Sequence, residues 1–452
     1  MEEYSVQIWQ SSRMPGGTRF GRGYVRRVVD DELDEVFPHL PAILIDGPKG
    51  VGKTETALQR CCSVRRLDND SDRAVVGADP MVLAQDRPPV LLDEWHRLPS
   101  AWDAVRRLVD KDPTGGRFLL TGSPPTLGTH SGAGRIATVR MRPLTLTERG
   151  VADPSVSLRA LAIGDRPPLT GHSPLVLSDY VEEIVAGGFP AMRALAGRAL
   201  ATQLDGYLER IVDHDLSEAG FTVRRPATVR SWMRGYAAAT ATAASWETIR
   251  DSATSGVANK PAKETAAAYS ELLRTLRILD PLEAWLPTRN QFSRLTGAPK
   301  HHLADPALAA RLLDRSKRHL ISGQEVRTVV PLSGQEVRTV VPRDGTLLGR
   351  LFESLVALSV RTYAQAIEAR TYHLRTEGGR HEIDLIVETT EGVLGIEAKL
   401  GSVPDDHDIR HLRWLSRQLG GDLLDAIVIT TGSEAFRRHD GIGVVPLGLL
   451  GP

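Results

Sequence analysis

Apolar residues follow two different patterns along the first 150 residues. From Val28 to Leu40 they recur at helical spacing, which predicts a helix. Short runs of consecutive apolar residues follow, with helical patterns between them, at Ala42–Ile45, Val90–Leu92 and Phe118–Leu120. Because such runs are typical of buried parallel strands, the first third is predicted to be an α/β domain with helices flanking a parallel sheet.

The pattern changes after residue 150 and again after residue 345. Residues Pro154–Pro174 are rich in Pro, Gly, Asp and Ser, which predicts a linker over 151–176 or an excursion of the chain. Ala-rich helical patterns dominate residues 177–320. A helical pattern over 347–363 then precedes two alternating runs typical of strands, so a second α/β domain is predicted. The predicted regions are 1–150, 151–176, 177–320, 321–345 and 346–452.

A direct repeat separates the helical region from the last domain. The ten residues Ser322–Pro331 recur letter for letter as Ser333–Pro342. A single extra copy cannot stack into a solenoid, so a repeat architecture is not expected. Loops tolerate insertions, and 321–345 is therefore predicted to be a duplicated loop.

Composition and charge narrow the class of protein. The 452 residues are 41% apolar and 25% charged, the balance of a globular protein, and 56 basic residues match 56 acidic ones. Neutral charge gives no overall sign of a polyanion partner. The only cysteines are the adjacent Cys61 and Cys62, too few for a disulfide scaffold. Without an apolar leader or a run of about 18 apolar residues, a cytoplasmic protein with no membrane partner is expected.

The strongest chemical signal follows the first apolar run. The segment fits G-x-x-x-x-G-K-[ST] between a predicted strand and a predicted helix, the context that a phosphate-binding loop requires. Glycines let backbone N–H groups approach phosphates, Lys53 can reach the β- and γ-phosphates, and Thr54 can bind Mg²⁺. The predicted nucleotide-binding residues are Gly47, Pro48, Lys49, Gly50, Val51, Gly52, Lys53, Thr54 and Glu55.

Two later strand ends make an ordinary glycine-rich turn the weaker interpretation. The run Val90–Leu92 ends in Asp93 and Glu94, which we assign to the Mg²⁺ site and to polarising a water against the γ-phosphate. The third run ends in Thr121 and Ser123, whose hydroxyls could help to place that water. The sequence therefore predicts ATP and Mg²⁺ as ligands, with Thr54 and Asp93 at the metal.

Arg135 lies in a glycine-rich segment shortly after the third strand. A guanidinium there could stabilise transition-state charge on the γ-phosphate, in its own subunit or in a neighbouring one of a homo-oligomer. A surface arginine is an equally good interpretation, because an arginine finger is recognised by geometry.

Taken together, these motifs resemble the AAA+-like ATPases of bacteria and archaea, built as an ATPase, a helical region and a C-terminal domain of unknown function. The resemblance implies ATP binding and ATP hydrolysis. It extends over most of the chain through the phosphate loop, Asp93–Glu94, Thr121–Ser123, Gly134–Arg135, Met141–Glu148, Gly187–Pro190, Tyr207–Asp215, Pro299–Asp305 and Gly349–Glu353.

The middle region also resembles a winged helix-turn-helix over Trp246–Leu303. In that family the second helix often meets DNA, so DNA is a candidate partner. Glu264 and Glu271 on the expected reading face weaken this interpretation. A helical interface that packs against the ATPase domain is the alternative.

Four residues of the last domain occur in the order of a PD-(D/E)xK nuclease core, which the family's C-terminal domain is thought to share. They are Glu353, Asp384, Glu397 and Lys399. Carboxylates and a lysine gathered in this way can hold Mg²⁺ and activate water for phosphodiester cleavage. The alternative is a solvated Glu397–Lys399 ion pair on a catalytically dead fold.

Two functions follow from these motifs. The first is an ATPase that drives DNA binding or processing by the C-terminal domain. The second is a nucleotide-switched binding protein without nuclease activity. A kinase-like phosphotransferase is less well supported, because no acceptor motif is visible.

Overall fold

The computed structural model describes residues 23–122, 132–164, 166–218, 223, 225–253, 260–285, 297–329 and 336–452. A parallel sheet near the N-terminus, a helical region and a second, mixed sheet follow one another along the chain. None of the helices in these ranges has the length and apolar character needed to span a membrane.

The first sheet has five strands, all parallel, in the order β2-β3-β4-β1-β5. Strands β1, β3 and β4 are buried along their whole length, as the apolar runs predict. Their carboxyl ends meet at one edge of the sheet. The predicted α/β domain with a parallel sheet is confirmed. Its elements are α1 (Val28–Val36), β1 (Ala42–Asp46), α2 (Lys53–Leu58), β2 (Ser63–Arg66), α3 (Asp70–Ala78), β3 (Val90–Asp93), α4 (Pro99–Lys111), β4 (Phe118–Thr121) and β5 (Ala137–Arg140).

The predicted linker is wrong for residues 151–176, because the described part of this segment is built into the fold. A two-residue strand, β6 (Val156–Ser157), pairs with the last strand of the chain and leads into α5 (Leu158–Ala162). Leu158 and Leu161 are fully buried. Apolar residues placed between the prolines and glycines thus anchor the segment to the C-terminal domain.

The middle region is helical, as predicted. Residues Ile211–Asp215 form a π-helical turn that continues α7 into α8. After α11, an antiparallel ribbon joins residues 279–282 to residues 300–303 through the pairs Leu279–Leu303 and Leu282–Lys300. The winged-helix interpretation stays a prediction. The helices are α6 (Leu177–Ala186), α7 (Gly197–Arg210), α8 (Leu216–Glu218), α9 (Pro226–Ala238), α10 (Trp246–Ser252), α11 (Lys263–Thr275), α12 (Pro306–Leu312) and α13 (Lys317–Leu320).

The duplicated segment forms a β-hairpin, so the predicted loop is wrong there. Strand β7 (Ile321–Val329), from the first copy, pairs antiparallel with β8 (Glu336–Pro342), from the second. Arg327 lies opposite Arg338, the equivalent residue of the other copy. Two identical stretches with a Val-Arg-Thr-Val pattern have strand propensity, and each supplies the pairing partner that the other needs.

The C-terminal domain is a six-stranded mixed sheet in the order β13-β14-β12-β11-β10-β9, with α14 and α15 against it. The register of β10 and β11 pairs Leu385 with Ile396, which puts Asp384 opposite Glu397. The elements are α14 (Gly345–Gln365), β9 (Arg370–Arg375), β10 (Glu382–Glu388), β11 (Val393–Ala398), α15 (Arg410–Leu419), β12 (Leu423–Thr430), β13 (Phe436–Arg437), β14 (Gly443–Pro446) and β15 (Leu450–Gly451).

A continuous apolar core connects the three regions. The largest buried cluster extends from Val28 to Leu450 and includes residues of each region. Tyr180 of the middle region packs edge-on against Phe352 of α14, with ring centroids 5.6 Å apart. The Tyr363 hydroxyl donates to Thr147 Oγ1 at 2.8 Å.

Candidate functional site

The phosphate-binding loop connects β1 to α2 at the carboxyl edge of the first sheet. Gly50 and Gly52 have φ values of +80° and +100°, a region that other residues rarely adopt. A Cβ on Gly47 would lie 2.2 Å from the Met141 carbonyl oxygen. Glycine is therefore required by backbone conformation at two positions and by close packing at a third.

Lys53 lies inside this loop and is almost fully buried. Its ammonium donates to the carbonyl oxygens of Gly47 at 2.8 Å and Pro48 at 3.0 Å. Burial lowers the pKa of Lys53 to about 8, although the Glu94 and Asp46 carboxylates oppose that shift. The hydrogen-bond acceptors of this ammonium are therefore uncharged carbonyl groups of the loop itself.

The ends of β3 and β4 meet at Thr54. Asp93 Oδ1 accepts hydrogen bonds from Thr54 Oγ1 at 2.8 Å and from Thr121 Oγ1 at 2.5 Å. Asp93 is buried beside the first turn of α2. A hydroxyl and a carboxylate in direct contact here are hard oxygen donors of the type that Mg²⁺ prefers.

Glu94 follows Asp93 in the left-handed conformation, with φ +54°. This kink ends the strand and turns the side chain out of the sheet. Burial raises the pKa of Glu94, and the Lys53 ammonium partly offsets that shift. Glu94 Oε2 lies 3.5 Å from His96 Nδ1, and burial lowers the pKa of His96 to about 4. A neutral imidazole beside the candidate base was missed from sequence, because an isolated histidine carries no motif.

Two residues proposed for the γ-phosphate have different outcomes. Ser123 lies outside the described residues. Arg135 precedes β5, and the register places Arg140, five residues later, beside Asp46. Arg135 itself lies in a turn before β5, at the end of that strand away from Asp46, and pairs with the exposed Asp110 at 2.6 Å. A role for Arg135 at the γ-phosphate, in its own subunit or in a neighbouring one, stays a prediction.

The helical region contacts the phosphate loop directly. Lys49 pairs with Asp215 at 2.7 Å and with Glu218 at 3.1 Å, and Arg97 pairs with Glu218 at 2.8 Å. The Tyr207 hydroxyl donates to the Lys49 carbonyl at 3.1 Å. Burial alone would lower the pKa of Lys49, but its bonds to the two carboxylates raise it. Sequence alone did not reveal this network, because its members lie about 160 residues apart.

A second connection joins the nucleotide edge to the ribbon after α11. Asp46, the last residue of β1, is 2% exposed and accepts from Arg277 at 2.6 Å. Asp280, three residues after Arg277, pairs with Arg142 at 2.9 Å and with Arg361 of α14 at 3.0 Å. Burial would raise the pKa of Asp280, but these guanidinium groups hold it far below its usual range.

The four C-terminal residues gather in one place. Asp384 and Glu397 face each other across β10 and β11, and Lys399 Nζ lies 3.1 Å from Glu397 Oε2. Glu353 approaches from α14. Burial, followed by the nearby Asp384 carboxylate, raises the pKa of Glu397 well above its usual range.

Sequence analysis missed the residue at the centre of this cluster. Lys300, on the ribbon, donates to Glu353 at 2.8 Å and to Asp384 at 3.0 Å, and lies 3.2 Å from Glu382. Burial and Asp384 raise the pKa of Glu353 to about 8. Burial would raise the pKa of Asp384 as well, but the Lys300 and Lys399 ammonium groups lower it to about 2. The only sequence signal was the motif Pro299–Asp305, used for resemblance alone.

The candidate reading helix, α11, offers little to DNA. Ser270 is buried, while Lys263, Glu264 and Glu271 are exposed. Two upstream arginines that could touch phosphates already pair with carboxylates: Arg230 with Asp213 and Arg234 with Asp314. DNA binding by this region stays a prediction.

Comparison with known proteins divides the chain into three parts. Residues 39–149 match a family model described as an AAA domain. Residues 177–319 and 348–450 match two different domains of unknown function, DUF8612 and DUF4143. Uncharacterised proteins of Mycobacterium bovis and Mycobacterium tuberculosis are each 24% identical over 434 residues, covering 93% of this chain and 83% of theirs.

Solved structures give weaker likenesses. A Walker-type ATPase of Pyrococcus abyssi is 15% identical, with a TM-score of 0.37 over 64% of this chain and 96% of that one. A protein of Vibrio cholerae has a TM-score of 0.20 and 11% identity over 90% of this chain and 94% of its own. TM-scores this low do not establish a shared fold. The AAA match, with its loop on a parallel sheet, supports a P-loop ATPase family for residues 39–149.

Proposed function

We propose that this protein is a Mg²⁺-dependent ATPase whose nucleotide state is transmitted to the helical region. One observation carries the proposal: Thr54 Oγ1 lies 2.8 Å from Asp93 Oδ1 at the first turn of α2, beside the buried Lys53. This pair joins the phosphate loop to the strand that ends in Glu94. This contact supports a role for Thr54, Asp93 and Glu94 in ATP hydrolysis.

The residues present fit ATP and Mg²⁺. Thr54 and Asp93 are hard oxygen donors, and both would hold Mg²⁺, which would screen phosphate charge and orient the β- and γ-phosphates. Among the described residues, Lys53 donates to two carbonyl oxygens of the loop, so phosphate oxygens can replace these acceptors without leaving a buried carboxylate unpaired.

Glu94 is suited to orient and deprotonate water. Its side chain leaves the sheet next to Asp93, and burial raises its pKa, which makes the carboxylate a better proton acceptor. His96, neutral because of its lowered pKa, adds no positive charge that would weaken this role.

Two ion-pair links suit nucleotide-dependent signalling. Lys49 of the loop holds Asp215 and Glu218 of the helical region, and Asp46 at the end of β1 holds Arg277. Incoming phosphates would compete for Lys49 and alter both the loop and its contacts. Binding of DNA, and action in a homo-oligomer, are finer proposals that rest on the resemblances described above.

A nuclease-like C-terminal domain is supported by the convergence of four residues, Glu353, Asp384, Glu397 and Lys399. The central position of Lys300 favours a nucleotide-switched binding protein over a nuclease.

The test is phosphate release from ATP by the full chain, with Mg²⁺ or with EDTA, and with or without duplex DNA. We expect turnover with Mg²⁺ and none with EDTA. Metal-independent turnover, or none at all in a folded chain, would contradict the ATPase proposal. Cleavage of the DNA in the same samples would contradict the binding-protein interpretation.

A further inference from the structure

The C-terminal carboxylate cluster forms where three regions of the chain meet. Asp384 and Glu397 come from adjacent strands, and Glu353 comes from α14. Lys300 comes from the ribbon of the middle region, where its N–H and C=O both bond Leu282 at 2.8 Å. The ammonium group therefore belongs to a different part of the chain from the carboxylates around it.

The three donors of the Lys300 ammonium match three carboxylates. The Nζ atom lies 2.8 Å from Glu353, 3.0 Å from Asp384 and 3.2 Å from Glu382. The side chain is 1% exposed. Two of its three N–H groups donate to Glu353 and Asp384, and Glu382 lies within ion-pair distance, so the ammonium is surrounded by negative charge.

Two other oxygens of the cluster are also engaged, whereas Glu397 Oε1 is buried with no hydrogen-bond partner among the described residues. Asp384 Oδ2 accepts the Ala398 N–H at 3.0 Å, and Glu397 Oε2 pairs with Lys399 at 3.1 Å. Mg²⁺ requires near-octahedral oxygen ligands at about 2.0–2.1 Å. It would have to compete with the Lys300 ammonium for the same carboxylate oxygens, and two positive charges at that range repel each other. These residues, as arranged, do not fit a divalent ion.

We propose that Lys300 is the built-in cation of this cluster, and that the cluster is an ion-pair clasp between the middle region and the C-terminal domain rather than a metal centre. The clasp holds the ribbon against β10 and α14. Replacing the ammonium with an uncharged side chain converts the same carboxylates into a site for a divalent ion.

The chain that follows Lys300 is held in the core. His301 and His302, the next two residues, are buried. Asp305, five residues after Lys300, is fully buried and accepts the Gly188 N–H at 2.6 Å. These contacts favour a clasp that stays closed in the folded chain.

The experiment is Mn²⁺ binding to the nucleotide-free full chain, followed by electron paramagnetic resonance. Four proteins are compared: the parent, Asp384→Asn, Lys300→Met and the double variant. We expect the parent and Asp384→Asn to bind Mn²⁺ equally, since the cluster contributes nothing. We expect Lys300→Met to gain about one Mn²⁺ per chain, and the double variant to lose that gain.

Two outcomes overturn the proposal. In the first, the parent binds an Mn²⁺ that Asp384→Asn loses, so Lys300 does not exclude the metal. In the second, Lys300→Met is folded and binds no more Mn²⁺ than the parent, so the ammonium does not occupy a cation position.

Melting temperature keeps the proposal testable where Lys300→Met is poorly folded. A ligand that binds only the native state raises the melting temperature. We expect Mn²⁺ to raise that of Lys300→Met and not that of the double variant. If Lys300→Met does not fold, the parent and Asp384→Asn decide alone. Equal Mn²⁺ responses support the clasp, and an Asp384-dependent response in the parent overturns it.

Discussion

Lys53 and Lys300 are both buried lysines beside carboxylates. Lys53 lies at the edge of the first sheet, and Lys300 lies on the ribbon that contacts the C-terminal domain. Lys53 donates to two backbone carbonyls and lies near Glu94 and Asp46 without an ion pair to either. Lys300 is enclosed by three carboxylates. The first ammonium can exchange its neutral partners for phosphate oxygens, whereas the second would leave buried charges behind.

The difference shows that converging carboxylates do not by themselves define a metal site. Near Lys53, Asp93 is bonded by two hydroxyls, which carry no charge and can remain in a metal's coordination shell. In the C-terminal cluster the cation position is held by a residue of the chain itself. A ligand site is distinguished from an ion-pair clasp by the groups that the buried lysine contacts, and not by the number of nearby carboxylates.

The largest effect is expected from Lys53→Ala. It removes the ammonium that would contact the β- and γ-phosphates, and the ATP turnover rate should fall by about 100-fold or more. Lys111→Ala, on the exposed end of α4, is the matched control and should keep the parental rate. Phosphate release with Mg²⁺ measures both, and parental turnover by a folded Lys53→Ala would end the assignment of this loop.

Lys300→Met tests the other half of the comparison. Removing one partner of a buried ion pair should lower the free energy of unfolding by about 3–5 kcal/mol, because Glu353 and Asp384 lose their counter-ion. Lys399→Met, at a side chain 30% exposed, should cost less. Urea denaturation at neutral pH without divalent ions compares the two. Equal losses would contradict the clasp.

Glu94→Gln separates catalysis from binding. The amide keeps the shape of the side chain but cannot accept a proton from water, so hydrolysis should slow by about 100-fold while ATP still binds. Fluorescent-nucleotide binding and phosphate release are measured on the same preparation. Loss of binding together with turnover would instead assign Glu94 to holding the loop.

Local patterns sufficed for the first sheet and its nucleotide edge. The apolar runs predicted the strands β1, β3 and β4. The spacing of Lys53 and Asp93 predicted that the glycine-rich loop lies beside the end of a neighbouring strand. These features depend on short stretches of chain whose periodicity and turn chemistry carry the signal.

Features made by distant residues could not be read in this way. Lys300 is 53 residues from Glu353 and 84 from Asp384 in sequence, and nothing in its immediate neighbours distinguishes it from a surface lysine. The motif around Arg135 likewise said nothing about which end of β5 this residue occupies. The linker was misjudged because proline and glycine content hid the buried Leu158 and Leu161.

The smallest expected effect tests whether the ATP site and the Lys300 clasp are independent of each other. The ribbon after α11 connects them: Arg277 at its start holds Asp46 beside the phosphate loop, and Lys300 lies in its second strand, bonded to Leu282. The side chain of Arg277 is 37% exposed, so its ion pair with Asp46 should contribute only about 1 kcal/mol to the free energy that links the ribbon to the phosphate loop. Arg277→Gln should therefore weaken ATP binding by roughly fivefold.

A readout at the far end of the ribbon sharpens this last prediction. In the parent, ATP should change the amide hydrogen exchange of residues 298–304, because binding at the loop alters the contacts of Asp46 that hold Arg277. In Arg277→Gln that response should be lost, with ATP added to saturation in both proteins. Arg274→Gln, in the last turn of α11 and stacked over Trp246 at 5.5 Å, is the control that should keep it. An unchanged response in Arg277→Gln would mean that the ribbon does not transmit nucleotide binding. The ATP site and the clasp would then be separate devices that share one core.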